Sequence, residues 1–218
     1  MKHLKHIANW TIWTLVGLYV LLLILVHLPS VQARLGSKVA DVLRRKLGTE
    51  VSIGRIDVGF LNRLIIDDVL ISDTAGCDLL KAGRLTARIE LLPLLDGRVA
   101  ISSAQVFGAH VSVYRTDSLS PMNCQFVFDA LSSADSPSQP ALDLRINSLI
   151  IRHSSVSYDR RDAPPTPGII NPDHIDVSDI SAHIVLRALR PDSLNINIKR
   201  LAFREQSGLN VQRLALRL

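Results

Sequence analysis

The residues able to do chemistry are few, and their spacing is poor. Asp67-Asp68 is the one carboxylate pair worth testing as a shared general acid and base. Adjacent residues of a strand point to opposite faces, so the pair suits a turn or an edge better than a catalytic site. His110, His153, His174 and His183 are scattered without the two-His helical spacing of a zinc hydrolase, and each reads as a surface or groove-rim histidine. His27 lies near the end of an apolar run, where an imidazole can reach a membrane interface. Cys77 and Cys124 have no CxxC or Cys/His partner. They are compatible with a disulfide in an oxidising compartment but do not demand one. No Gly-rich phosphate loop or GxSxG elbow is present. The chain therefore reads as a non-enzyme with no cofactor and no metal, and its chemistry must come from architecture.

That architecture starts at residues 10–28, which contain no Asp, Glu, Lys or Arg. A helix of this length crosses a hydrocarbon layer of about 30 Å with its backbone groups satisfied. Trp10, Trp13, Tyr19 and Leu28 are the anchor residues, the two Trp suiting a headgroup-level belt. Residues 1–9 form a short basic tail, and Pro29 stops the helix. A cleaved secretory signal is the competing reading, with Lys2 and Lys5 as its basic region and Val31-Gln32-Ala33 as a cleavage site. The run exceeds the usual apolar core of about 7–15 residues, which favours an uncleaved anchor. Arg34, Lys38, Arg44, Arg45 and Lys46 outnumber Lys2 and Lys5, so a plain count of positive charges places the C-terminal side inside.

The 218 residues are 47% hydrophobic and carry a net charge of +5, much of it just after the apolar run. A basic segment in that position meets anionic headgroups more readily than nucleic acid. With only 5% aromatic residues there is no stacking platform for single strands. Residues 32–47 predict an amphipathic helix, with Leu35, Val39, Val42, Leu43 and Leu47 at helical spacing and Gly48 as its cap. Lys38, Arg44 and Arg45 are its candidate headgroup contacts. Such a helix lies on a membrane surface, closes the end of a sheet, or does both.

From Thr49 the period becomes two. Val51 to Phe60 reads as a strand broken at Gly54-Arg55, and Leu64 to Ile71 as the next. Leu85, Ala87, Ile89 and Leu91 alternate with polar neighbours. Leu91 to Gly97 is an apolar knuckle whose Pro93 and Asp96-Gly97 mark a turn. Val99 to Gln105 and Val106 to Arg115 read as two strands meeting near Gly108. Further strands are expected at 175–186, 194–199 and 214–218. The segment from Ile101 to Arg115 repeats at Ile146 to Arg160, with Ser103 matching Ser148, Val106 matching Ile151, Val111-Ser112 matching Val156-Ser157, and Arg115 matching Arg160. This suggests stacked units: 49–131 and 141–218, joined by a Ser/Pro-rich linker at 132–140. The fold class is mainly β: two N-terminal helices, then a curved, repeat-built sheet. The last strand runs to the final residue without a closing turn, so the chain reads as a piece of a longer one. Ile89, Ile101, Val111, Ile184, Ile196 and Leu216 are the candidate lining of an apolar groove. A dry sandwich core would give the same alternation.

The order of span, basic helix and strands, and above all the Leu-Leu-Pro-Leu-Leu-Asp-Gly knuckle between two strands, resembles the start of AsmA-like proteins of the TamB type. The stretch from Leu194 to Leu218, with Ser207-Gly208-Leu209, is similar to the TamB version as well. The resemblance implies an inner-membrane anchor with the body in the periplasm of a diderm bacterium. It implies a long sheet folded into a hydrophobic groove, phospholipid movement between the two membranes, and a role in outer-membrane protein assembly and secretion. It also implies a barrel partner in the outer membrane, met through a C-terminal part that these residues do not contain. It carries no catalytic residues. The alternative function is a periplasmic scaffold or chaperone that pairs unfolded barrel strands at its sheet edges.

Overall fold

The computed structural model describes residues 10, 12–21, 24, 28–59, 62–90, 99–132, 142–143, 147–190 and 193–217. The knuckle at 91–97, the linker from 133 onward and His27 lie outside the described residues. Residues 12–21 are helical and exposed. Among the described residues no helix is long and apolar enough to cross a membrane. The run expected to span is described only in part, so this bears on 12–21 and not on 10–28 as a whole.

Helix α1 is Pro29–Leu47. Pro29 opens α1: Leu28 is extended (φ −70°, ψ 127°) and proline takes the first turn, where its missing N–H costs nothing. Gly48 caps α1 in the left-handed conformation (φ 70°), and its N–H donates to the Arg44 carbonyl. The face that α1 buries is not the one its hydrophobic period suggests. Gln32, Gly36 and Ala40 are the buried positions, with Leu43 and Leu47 packed beside them. Leu35, Val39 and Val42 stay exposed. Small residues win because α1 approaches the backbone of the first strand closely. A Cβ on Gly36 would sit 3.2 Å from the Ile53 carbonyl oxygen. Gln32 Nε2 donates to Asp57 Oδ1 at 2.7 Å, so its buried amide is paired. Gly36→Leu is expected to lower stability by about 1–3 kcal/mol through overpacking. Gly36→Ala should change it by less, because added helix propensity of about 1 kcal/mol offsets the tight contact. Urea denaturation of the two variants checks both.

The strands are β1 (Val51–Gly59), β2 (Arg63–Ser72), β3 (Asp78–Glu90), β4 (Val99–Arg115), β5 (Leu142–Asp143), β6 (Ser148–Arg160), β7 (His174–Arg190), β8 (Ser193–Glu205) and β9 (Asn210–Arg217). A second helix, α2 (Gln125–Ser132), follows β4 and has no counterpart in the sequence periodicity. The sheet runs β1-β2-β3-β4-β6-β7-β8-β9, with β5 beside the start of β4. All neighbours are antiparallel except β4 with β5 and β6, which are parallel. Parallel partners need a crossover, and the segment carrying α2 is that crossover.

The internal repeat has a direct structural expression. β4 and β6 pair with Ser103 beside Ser148, Val106 beside Ile151, Val111 beside Val156 and Arg115 beside Arg160. Each of these residues thus lies next to its own counterpart, and from Ser103 onward the repeat is the register of the central parallel pair. The stacked Arg115 and Arg160 avoid simple repulsion. Arg115 lies over the Tyr158 ring, while Arg160 pairs with Asp162 and Asp173.

The break expected near Gly108 does not separate two strands. β4 is continuous there, and Gly108 (φ 60°) takes a left-handed turn within it. Asp68 (φ 56°), His153 (φ 48°) and Asp179 (φ 52°) do the same in β2, β6 and β7. Asp and His are among the side chains that tolerate this region best. Gly54 of β1 faces Asp68, and a Cβ on Gly54 would lie 3.0 Å from the Asp68 Cβ. Gly83 of β3 likewise faces the Phe107-Gly108 backbone. These positions form one line of irregularity across the sheet. Each extra residue shifts the alternation by one, so the apolar face is kept by steps of three: Ile53 to Ile56, Ile66 to Val69, Ala82 to Leu85, Val106 to Ala109 and Ile151 to Ser154. This also corrects the edge or turn role expected for Asp67-Asp68, since β2 is an interior strand.

Candidate functional site

Residues paired directly across strands share a face of the sheet. Following the pairs from β1 to β9 yields two unbroken apolar rows. The first is Ile56, Ile66, Leu85, Val106, Ile151, Ala182, Leu201 and Leu214. The second is Val58, Leu64, Ala87, Ala104, Leu149, Ile184, Ile198 and Leu216. A third, shorter row runs Val51, Ile71, Leu80, Val111, Val156 and Val177.

These rows are not sealed. Among the described residues the cover is α1 at the β1–β2 end, where Ala40, Val51, Ile53 and Ile56 form a closed cluster. Val51 is the one large side chain that is wholly buried among the described residues. Toward β9 the same face opens, and Leu214 and Leu216 are 36% and 44% exposed. In between, Leu85, Val106, Ile151 and Ile184 are half-buried. The central strands contribute small side chains, Ala82, Ala87, Ala104 and Ala109, where an ordinary core would carry large ones.

Of the expected groove residues, Ile184 and Leu216 stand in the second row and Val111 in the third. Ile89 pairs with Ile101, and Ile196 lies two residues from Ile198 in the same strand. Val111, Ile184, Ile196 and Leu216 therefore belong to the apolar face, while Ile89 and Ile101 pair beyond the register shift at Arg88/Ile89 and stand in none of the three rows. The alternation already contains Ala87 and Ile198, but the groove candidates leave out Leu149, Leu201, Ala82, Ala104 and Ala109, because strict period two fails at every bulge. The signal that marks them is a step of three recurring beside Gly54, Gly83 and Gly108.

The expected anchor residues Trp10, Trp13, Tyr19 and Leu28 are 79%, 67%, 63% and 41% exposed. Of the expected headgroup contacts, Lys38 and Arg45 are exposed, beside the uncovered Leu35-Val39-Val42 stripe. Arg44 is engaged in the fold instead. Its guanidinium pairs with Asp41 at 2.7 Å and Glu50 at 3.1 Å and donates to the Val51 carbonyl.

The opposite face is polar, and its charges are mostly neutralised internally. Asp67 is buried in β2 and accepts from Arg55 and Arg84, the nearest contact to each being 2.6 Å. The hydrogen bond from Arg84 holds its carboxyl below the usual carboxylate range; burial opposes this and Arg55 adds to it. Asp73, also buried, is pushed up by burial. Hydrogen bonds from Tyr114, the Cys77 and Ala75 amides and Asn123 outweigh that and keep its pKa low. The same bond, with burial, pushes Tyr114 up to about 12. Cys77 and Cys124 are both free thiols. No cluster of three metal-ligating side chains occurs among the described residues.

His174 departs from the surface role expected of it. It ties the 161–173 loop to β6, with Nε2 2.9 Å from the Ala163 carbonyl and Nδ1 2.6 Å from Asp159. The hydrogen bond to the Ala163 carbonyl is the main cause of its raised pKa; burial opposes it, and Asp159 and then Asp173 add to the rise. A raised folded pKa contributes stability that is complete below the unfolded value of about 6.5 and is lost as pH rises through the higher folded value. Proteolytic nicking of this loop is therefore expected to accelerate as pH rises from 6 to 9. His174→Gln should flatten that dependence.

The candidate site is thus an aliphatic face carried by two β-meanders joined edge to edge through β4 and β6, and covered at one end by a basic helix. In comparisons with known proteins, no family model and no curated protein matches the chain.

Proposed function

We propose that this chain is a membrane-anchored protein of AsmA/TamB-like type that shields phospholipid acyl chains on its apolar sheet face during transfer between the inner and outer membranes, in support of outer-membrane biogenesis. The observation that carries this reading is the pair of apolar rows crossing every strand of the sheet path, covered among the described residues by α1 at the β1–β2 end and half-buried to exposed beyond it. Each lipid methylene removed from water on such a face gains about 0.8 kcal/mol, and the alanines of β3 and β4 leave depth for a tail. Residues 10–28 anchor the chain in this reading, on the strength of an apolar run without an ionisable side chain. The exposed Leu35-Val39-Val42 stripe with Lys38 and Arg45 then rests on the bilayer surface, beside the place where lipid enters the groove. The body lies in the periplasm, and an outer-membrane barrel partner is met by parts beyond these residues.

A photo-crosslinking side chain at Leu216 or Ile196 tests this reading. Phospholipid recovered on the adduct supports it. Adducts made only with nascent outer-membrane proteins would favour the scaffold reading instead. That second reading draws on β1 and β9, the two strands at the ends of the sheet path among the described residues.

A further inference from the structure

The polar face of the sheet carries a cleft that the lipid reading does not use. It is about 420 Å³ in volume and is lined by Arg152, His153, Ser181, His183 and Arg200 together with Ile150, Ile151 and Ala182. Two register irregularities shape it. One lies between Ile151 and Ser154 in β6, where His153 turns left-handed. The other falls where His183 pairs with Arg200 but Ile184 pairs with Ile198, leaving Lys199 as the extra residue. Bulges re-aim side chains, and here they gather two arginines and two histidines from three strands. The His153 ring is held edge-on against Phe107 at 5.5 Å.

The charge balance separates this cleft from its neighbour on the same face. In the cleft beside β2 and β3, Arg55 and Arg84 are both neutralised by Asp67. In the β6–β8 cleft no carboxylate lines the wall. Among the described residues, Arg152 and Arg200 have no ion-pair partner. Asp179, close by in β7, lies 3.5 Å from Arg204 instead. His183 has Nε2 3.4 Å from Ser148 Oγ, which leaves Nδ1 without a partner among the described residues. The cleft therefore presents two guanidinium forks, imidazoles and the Ser181 hydroxyl, with no acidic acceptor among them.

We propose that Arg152, His183 and Arg200 form a phosphate-binding site on the polar face of the sheet. Guanidinium groups match the oxygens of a phosphate in bidentate fashion, and a tetrahedral oxyanion offers enough acceptors for donors arriving from three strands. The chemistry is that of a phosphate group, whether borne by a soluble phosphomonoester or by a lipid headgroup. The proposed phosphate ligands Arg152, His183 and Arg200 belong to none of the apolar rows, so failure of this site would leave the lipid reading standing.

The test is calorimetric titration of the 218-residue chain in detergent micelles, in chloride buffer, with inorganic phosphate and separately with monomeric dihexanoyl phosphatidic acid. Phosphate should bind, and the double variant Arg152→Gln/Arg200→Gln should weaken it by about tenfold or more. In the unaltered chain the His183 imidazole resonances should move on titration while those of His174 stay fixed. Equal affinity for the two probes, lost together in the double variant, assigns a soluble phosphate. Tighter binding of the lipid, also lost in the double variant, assigns a headgroup. Unchanged affinity in the double variant, equal competition by chloride, or equal shifts at His174 and His183 would each overturn the site.

Discussion

Ile184→Asp is expected to abolish lipid capture by a crosslinker at Leu216 while leaving the sheet folded. Ile184 sits in the middle of the second apolar row, between Leu149 of β6 and Ile198 of β8. A carboxylate there stays hydrated only if water replaces the hydrocarbon around it. Several methylenes at about 0.8 kcal/mol each are then lost from any bound tail, which is a drop in capture of at least about tenfold. The fold itself should lose only about 1–3 kcal/mol, because the half-buried site lets the new carboxylate reach solvent. Crosslinked lipid per protein and a urea melt, taken on the same preparation, separate the two effects. Unfolding of the variant would mean that the face is a closed core, and the lipid proposal would fail.

Asp67→Ala should be the most destabilising single change on the polar face, by about 2–3 kcal/mol. It removes the shared acceptor of two arginines and leaves Arg55 and Arg84 on either side of an apolar methyl. Both guanidinium groups are about half exposed, which tempers the loss, since water can take over part of their solvation. The pH dependence follows from the sign of the shift. The folded-state pKa of Asp67 is depressed, so its contribution is present above the unfolded value of about 3.9 and disappears as pH falls through the lower folded value. Asp67→Asn keeps the shape and removes this titration. Between pH 5 and pH 2 it should lose less stability than the unaltered chain. Parallel losses in the two proteins would show that the triad contributes nothing to acid sensitivity.

Both experiments turn on one feature, the line of left-handed and glycine positions that crosses the sheet. It places Asp67 between two arginines on one face and keeps Ile66 and Val69 together on the other. Without the extra residue in each strand, the aliphatics after the line would turn toward the polar side. The amphipathic sheet therefore depends on bulges occurring together in neighbouring strands, which is a property of the assembly and not of any one strand.

The sequence by itself determined the β-rich class, the helix ending at Gly48, the approximate strand positions and the repeat. These rest on local causes: side-chain alternation, a glycine free to take positive φ, and turn residues between apolar runs. It also placed Ile184 and Leu216 among the groove candidates, because period two holds within each half-strand. Only the tertiary structure decided that Ser103 lies beside Ser148, since parallel pairing is a contact between distant segments that no local pattern encodes. It decided that α1 docks through Gly36 and Ala40 and leaves Leu35, Val39 and Val42 uncovered, because close backbone approach favours small side chains over apolar ones. It decided as well that Arg44 braces the end of α1 while Arg152 and Arg200 stand without a counter-charge among the described residues. Charge type is written in the chain, but the counter-charge each cation meets is set by which strands become neighbours.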